Sequence, residues 1–337
     1  MQPGPFAELG ELAPKRRRTT LARRLVLALA IAAVAAGLVV FARGLDANAL
    51  VSAFRHVRLL PIIIAAALSF VQLGFKALGW REILAPIVQL SPARAYRYTA
   101  GGAAMSLVMP ARAGEALRVW LLKRDYEVPI ASSSSVAIAE KLIDGVAMLV
   151  VLAPLPWMLP ELPHWIGRAI GGFSLVLGTA LIVLWFFAPV ATIGEKWWHG
   201  LQAGLGFLRQ PRHIGRALAA MIGGWLTDWL SVTLVLYAVG VSVPAAAGLL
   251  ILLTINLAIA IPAMPGHLGT MELGALVALE LLHVPRAQGL SFALLYHAIQ
   301  VVPLLLVSIV SNRFLLAPPG GGGTALSVKA VANEELR

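Results

Sequence analysis

The chain has 337 residues, 59% of them hydrophobic and only 13% charged, about half the charged share (~25%) of ordinary soluble domains. Its formal net charge is +11, but Lys and Arg are spread between apolar runs, which points to cytoplasmic loops and anionic lipid and away from nucleic acid. Cysteine is absent, which excludes disulfides, thiolate catalysis and cysteine-ligated metal.

A spanning helix needs ~20 predominantly apolar residues. Residues 25–42 and 169–193 carry no charge, and 217–239 carry one, Asp228. The runs are continuous rather than alternating, so a transmembrane β-barrel is not indicated. The expected fold is all-α and polytopic, with about six full spans plus two opposed re-entrant helical hairpins in an inverted repeat. If the hairpins cross, the count becomes eight or more.

In chain order, residues 1–24 form a basic tail, placed in the cytoplasm by the positive-inside rule. Span one, 25–42, is longer than a signal-peptide core and is read as retained. Span two covers 59–80. Residues 81–127 carry seven basic side chains and are mostly cytoplasmic. The apolar piece 98–109 within them is too short to cross and reads as one arm of a re-entrant hairpin turning at Pro110. Span three is 130–153, followed by an outer loop rich in Pro and Trp, and span four is 169–191. Residues 195–216 read as an amphipathic segment on the inner leaflet. Span five is 217–239. The run 245–263 breaks at Met264-Pro265-Gly266 and reads as a second hairpin, entering and leaving on the outside. Span six, 289–311, returns the chain to the cytoplasm. The membrane domain is thus 25–313, and 314–337 form a disordered cytoplasmic tail.

Charges within these apolar stretches carry the functional signal. An ionisable group in hydrocarbon costs roughly 2.5–3.5 kcal/mol even on the lenient insertion scale, so it faces protein, water or a polar substrate. Arg112, Glu115 and Arg118 follow the Pro110 break at three-residue spacing, which puts them on one drifting helical stripe with Gly114 beside them. Glu140, Lys141 and Asp144 share part of a helix face in span three. After the second break, Pro265, Gly266 and Gly269 lead into Glu272, with His267 beside it. About 30 residues beyond each break lies a polar cluster in an apolar helix, Glu140-Lys141 with Asp144 and Tyr296-His297 with Gln300. Broken helices in opposed orientation around a midplane site are a recurrent transporter plan.

The strings Pro110-x-Arg112-x-Gly114-Glu115-x-x-Arg118, Glu140-Lys141-x-x-Asp144 and Pro265-Gly266-x-x-Gly269-x-x-Glu272 resemble, in this order, the lysylphosphatidylglycerol synthase transmembrane-domain family of flippase-like domains. The resemblance spans about 25–313. Lys141 and His297 stand where that family often has Arg. No soluble synthase domain is present, so the resemblance implies the lipid-moving half without the lipid-modifying half.

Each residue also has a structural reading. Arg112, Glu115 and Arg118 form either ordinary interfacial pairs or a headgroup site in which Arg meets phosphate. Glu140, Lys141 and Asp144 are either an ion pair docking span three or, with the acids competing for Lys141, a site with one acid left for a cation or proton. Glu272 either caps free amides in its first turn or faces Glu115 across a cavity, with His267 nearby. Asp228 pairs with a base or lines the path. His297 is either a hydrogen-bonded packing residue or a proton relay. Lys76 is read as snorkelling from a span end, and the 132–135 serine run as allowing close helix approach.

The preferred function is a lipid translocator moving an anionic or aminoacylated phospholipid between leaflets of a plasma (inner) membrane. Both termini are expected in the cytoplasm. No Gly-Lys dipeptide occurs, so there is no Walker A loop and no ATP motor. No cofactor or metal is expected, and no catalytic residue is assigned. A separate lipid-modifying synthase and self-association remain open as partners. The alternatives are a membrane-embedded lipid-modifying transferase and a scaffold subunit whose charges only lock helices together.

Overall fold

The computed structural model describes residues 57–108, 113–187, 206–260 and 265–315. Span one, both terminal tails beyond these limits, residues 195–205 of the expected surface segment, Met264, Pro110 and Arg112 lie outside the described residues. Among the described residues the regular structure is entirely helical.

The helices are α1 Leu59–Leu84, α2 Pro92–Val108, α3 Ala113–Tyr126, α4 Ile130–Leu152, the single turn α5 Leu155–Met158, and α6 His164–Phe187. Beyond them come α7 Pro211–Ala238, α8 Ala246–Ile259, α9 Thr270–Leu281 and α10 Arg286–Leu315. Short 3-10 turns occupy Gly206–Arg209 and Pro265–His267.

The molecule is organised around α1 and α7, which pack along their length. Their ends show that they run antiparallel. The Arg58 amide donates to the Ala238 carbonyl at 3.0 Å, and the Arg58 guanidinium sits 4.4 Å from the Tyr237 ring centre. At the other end Glu82 meets His213 at 2.9 Å and Arg216 at 3.9 Å. Small residues at the seam allow this closeness: a Cβ on Gly223 would stand 2.8 Å from the Phe75 ring. The opposite face of α1 presents Leu59, Leu60, Ile63, Ile64 and Val71 outward. A helix apolar on both faces, one against protein and one exposed, suits hydrocarbon surroundings.

α2 and α3 form an antiparallel pair, as their contacts require. Residues early in α2 meet residues late in α3 (Arg94 with Tyr126, Tyr98 with Asp125), and late α2 meets early α3, with the Gly114 amide donating to Ser106 Oγ at 3.2 Å. Burial would push the Asp125 carboxyl up, but hydrogen bonds from Arg124 and Tyr98 outweigh it and hold it below the usual carboxylate range. α8 and α9 form the second pair, and α10 packs on α1, α2 and α9. Ser69 Oγ ties α1 to α10 by donating to the Ile299 carbonyl at 3.1 Å.

Among the described residues four helices are long and apolar enough to cross a membrane: α1, α6, α7 and α10. Six full spans were expected. Of the other two, span one is outside the described residues, and α4 has the length, at 23 residues, but carries Glu140, Lys141 and Asp144. α7 starts at Pro211, six residues before the expected start of span five. It thereby absorbs Arg212, His213 and Arg216, which were assigned to a surface segment. Proline at the first helical position and the Glu82 contacts to His213 and Arg216 explain the earlier start. α6 likewise begins at His164 rather than 169, and α10 runs to Leu315, past the expected domain end at 313.

Candidate functional site

A cavity of about 240 Å³ lies among α1, α2, α7, α8, α9 and α10. Leu107, near the end of α2 and just before the first break, lines it together with Gly266 and His267 of the second. A Cβ on Gly266 would stand 3.8 Å from the Leu107 carbonyl oxygen, so the two regions meet. Most of the wall is apolar, but Ser69, Gln72, Lys76, Asp228, Asn256, His267, Tyr296 and Gln300 also face it.

Asp228 is the centre of the polar wall. It is 8% exposed, and its Oδ1 accepts from the Tyr296 hydroxyl and from Gln300 Nε2, both at 2.6 Å. Tyr296 is itself stacked on Phe292, which fixes the ring. Of the two readings for Asp228, lining the cavity is observed and pairing with a base is not seen among the described residues. Lys76 corrects an expectation. It does not run outward to the interface but lines the cavity, with Nζ 5.6 Å from the Trp225 ring centre. Trp225 in turn donates through Nε1 to Asp144 at 3.0 Å.

The first charged cluster lies apart from this wall. Arg118 and Glu140, each 8% exposed, form a two-pronged pair with N–O distances of 3.1 and 2.7 Å. The Arg118 guanidinium also stands 5.0 Å from the Trp80 ring centre. Lys141 is paired with Glu115 at 3.3 Å, with both side chains partly exposed. The expected competition of Glu140 and Asp144 for Lys141 is therefore not observed: Arg118 takes Glu140, Trp225 takes Asp144, and Lys141 reaches Glu115. The structure places Glu115, Arg118, Glu140, Lys141 and Asp144 in three separate contacts, two joining α3 to α4 and one joining α4 to α7. Gly114 makes the pairing of α2 and α3 possible, because a Cβ there would stand 1.8 Å from the Gly102 carbonyl oxygen.

The second break is a turn of left-handed residues, with φ of 72° at Gly266, 58° at His267 and 82° at Gly269. Glycine adopts this region freely, whereas His267 does so at a cost of roughly 1–2 kcal/mol. Glu272 does cap the start of α9, accepting from the Gly269 amide at 2.8 Å. Its other oxygen meets His297 Nδ1 at 2.5 Å, and the pair is buried. His267, expected beside Glu272, lines the cavity instead, and His297 is the histidine that Glu272 contacts.

Sequence reasoning passed over Gln72 and Asn256 and directed Lys76 away from the site. The signal was present: Gln72 and Lys76 are one turn apart in an otherwise apolar helix, and Asn256 interrupts the apolar run of α8.

Long apolar helices with outward-facing hydrophobic side chains, gathered around an internal polar wall, define a multi-pass membrane protein. The model of the lysylphosphatidylglycerol synthase transmembrane-region family matches residues 25–308, and the chain belongs to that family. That membership links it to lipid handling. A comparison with curated proteins found no match.

Proposed function

We propose that the protein is a lipid translocator that passes a phospholipid headgroup between leaflets through this cavity, without ATP, in a plasma membrane with both termini cytoplasmic. The observation that carries the reading is the cavity itself, to which both broken regions contribute wall. Polar side chains set in a largely apolar wall offer a headgroup partners at a depth where hydrocarbon offers none. Its volume is below the ~300–1,000 Å³ of sites that enclose a drug-sized ligand, which suits a headgroup whose acyl chains stay in the bilayer. Phe70 both lines the cavity and is 38% exposed, which supports access from the lipid side.

The short lengths of the paired helices support re-entrant hairpins. α2, α3, α8 and α9 have 17, 14, 14 and 12 residues, short of the ~20 needed to span. Irregular backbone at membrane depth is tolerated where it borders protein or a watery cavity, and the Pro265–His267 turn borders one. Among the described residues the acids of the site are held in ion pairs and hydrogen bonds and none is set beside a serine or threonine hydroxyl as an activated nucleophile, which favours transport over a transferase.

The test is reconstitution into vesicles containing acyl-labelled fluorescent phospholipid, read by quencher accessibility. The protein should speed lipid exchange between leaflets. Ala103→Trp, which fills the cavity from α2, should abolish the acceleration while the variant still melts cooperatively in detergent. Exchange no faster than in empty vesicles, or unaffected by the plug, overturns the reading.

A further inference from the structure

Resting on the translocator reading, we propose that the cavity selects a zwitterionic headgroup bearing one phosphate and one N–H-donating ammonium, the chemistry of an ethanolamine-type phospholipid. The assignment comes from how charges are matched. Elsewhere in the described membrane region each buried charge has a partner: Arg118 holds Glu140, and Glu272 holds His297. The cavity wall differs. Among the described residues that line it, Lys76 is the one ammonium and Asp228 the one side-chain carboxyl, and His267 stands beside them on the wall. Among the described residues neither Lys76 nor Asp228 has an opposite charge within the 4.0 Å of an ion pair, and the two do not reach each other.

Beyond ion-pair distance the Lys76 charge is still felt by Asp228, and the direct contacts of both groups are with neutral side chains. Lys76 lies over the Trp225 face. Asp228 accepts hydrogen bonds from two uncharged donors, Tyr296 and Gln300. An unpaired charge in so apolar a site is expensive, and a ligand that completes it recovers that cost. The wall therefore presents two separate poles of opposite sign.

A headgroup with only a phosphate satisfies Lys76 and places its charge near Asp228. A headgroup with excess positive charge does the reverse. A zwitterion meets both poles, with phosphate on the Lys76 ammonium and ammonium on Asp228. A primary ammonium brings three N–H donors for the Asp228 carboxylate and the Asn256 side chain, whereas a quaternary ammonium brings none.

The experiment uses the full chain in vesicles with three acyl-labelled lipids: phosphatidylethanolamine, phosphatidylglycerol and phosphatidylcholine. The ethanolamine lipid should cross about tenfold faster than the other two, the size of one charge-assisted hydrogen bond. Asp228→Asn should slow the ethanolamine lipid toward the phosphatidylglycerol rate and leave phosphatidylglycerol unchanged or faster. Lys76→Gln should slow all three, and Lys76→Arg should restore them. Equal wild-type rates for the ethanolamine and glycerol lipids, or an Asp228→Asn loss shared by both, overturn the assignment while leaving translocation standing. If no lipid crosses, the translocator reading falls, and the headgroup assignment is judged by lipids retained in native mass spectra of the purified protein. Ethanolamine lipid retained by wild type and lost from Asp228→Asn sustains it, and indifferent retention overturns it.

Discussion

The pair α2/α3 and the pair α8/α9 contribute wall to the same cavity but dispose their charges differently. In the first, Arg118 and Glu115 turn away toward α4 and are closed off by Glu140 and Lys141. In the second, the turn itself faces the cavity through Gly266 and His267, and Glu272 is held by His297 from α10. The first pair thus clamps a neighbour with its charges, and the second shapes the chamber with its backbone. A charge-rich motif in a membrane chain marks where polar groups are buried, and only their pairing tells whether they are available to a ligand.

The largest test of that contrast removes one member of the clamp. Arg118→Ala leaves Glu140 buried without its partner, and loss of half of a buried pair costs roughly 3–5 kcal/mol. Thermal melting in detergent should show a severe loss, or the variant should fail to assemble. Replacing both partners, Arg118→Met with Glu140→Leu, should recover most of the stability, because the desolvation cost of the two charges goes with them. Lipid exchange in the double variant should persist at a large fraction of the wild-type rate. Exchange abolished in a stable double variant would mean that the clamp's charges are needed by the lipid as well as by the fold.

The next effect compares the glycines that let each pair close. A Cβ on Gly114 would stand 1.8 Å from the Gly102 carbonyl oxygen, and one on Gly274 would stand 2.6 Å from Ile255 Cα. Both obstacles are backbone, so neither is relieved by a side-chain rotation. Overpacking of this kind costs typically 1–3 kcal/mol and sometimes more. Gly114→Ala should fall at or above about 3 kcal/mol and Gly274→Ala below it, each read as a shift in melting midpoint. Equal losses would erase the distinction between a tight first pair and a looser second one.

The sequence carried the fold further than the site. Apolar run lengths located α1, α4, α6, α7 and α10 because the bilayer sets a minimum span, and the ends shifted where a local interaction intervened, as Glu82 does at the start of α7. The meeting of the regions beside Pro110 and Pro265 was also legible from the two breaks and the polar cluster that follows each. The partners were not. Arg118 and Glu140 are 22 residues apart on different helices, and no helical spacing predicts that contact. Asp228, Tyr296 and Gln300 likewise converge only when α7 packs near α10. Lys76 was misread because a lysine toward one end of a span has two directions available, and packing against α7 decides between them.

The smallest effect concerns the outer member of the first cluster. Glu115 and Lys141 lie 3.3 Å apart with side chains 25% and 48% exposed. Partly hydrated pairs of this kind contribute about 0–1 kcal/mol, because water and ions compete for each charge. Glu115→Gln, Lys141→Gln and the double variant should each melt within about 1 kcal/mol of wild type, and a double-mutant cycle should give a coupling of a few tenths. If the pair only decorates the clamp, lipid exchange is equally unmoved. A fall in exchange without a fall in melting midpoint would instead return Glu115 and Lys141 to the headgroup path. The two helix pairs would then share the lipid in succession, the charged one receiving it and the cavity passing it on.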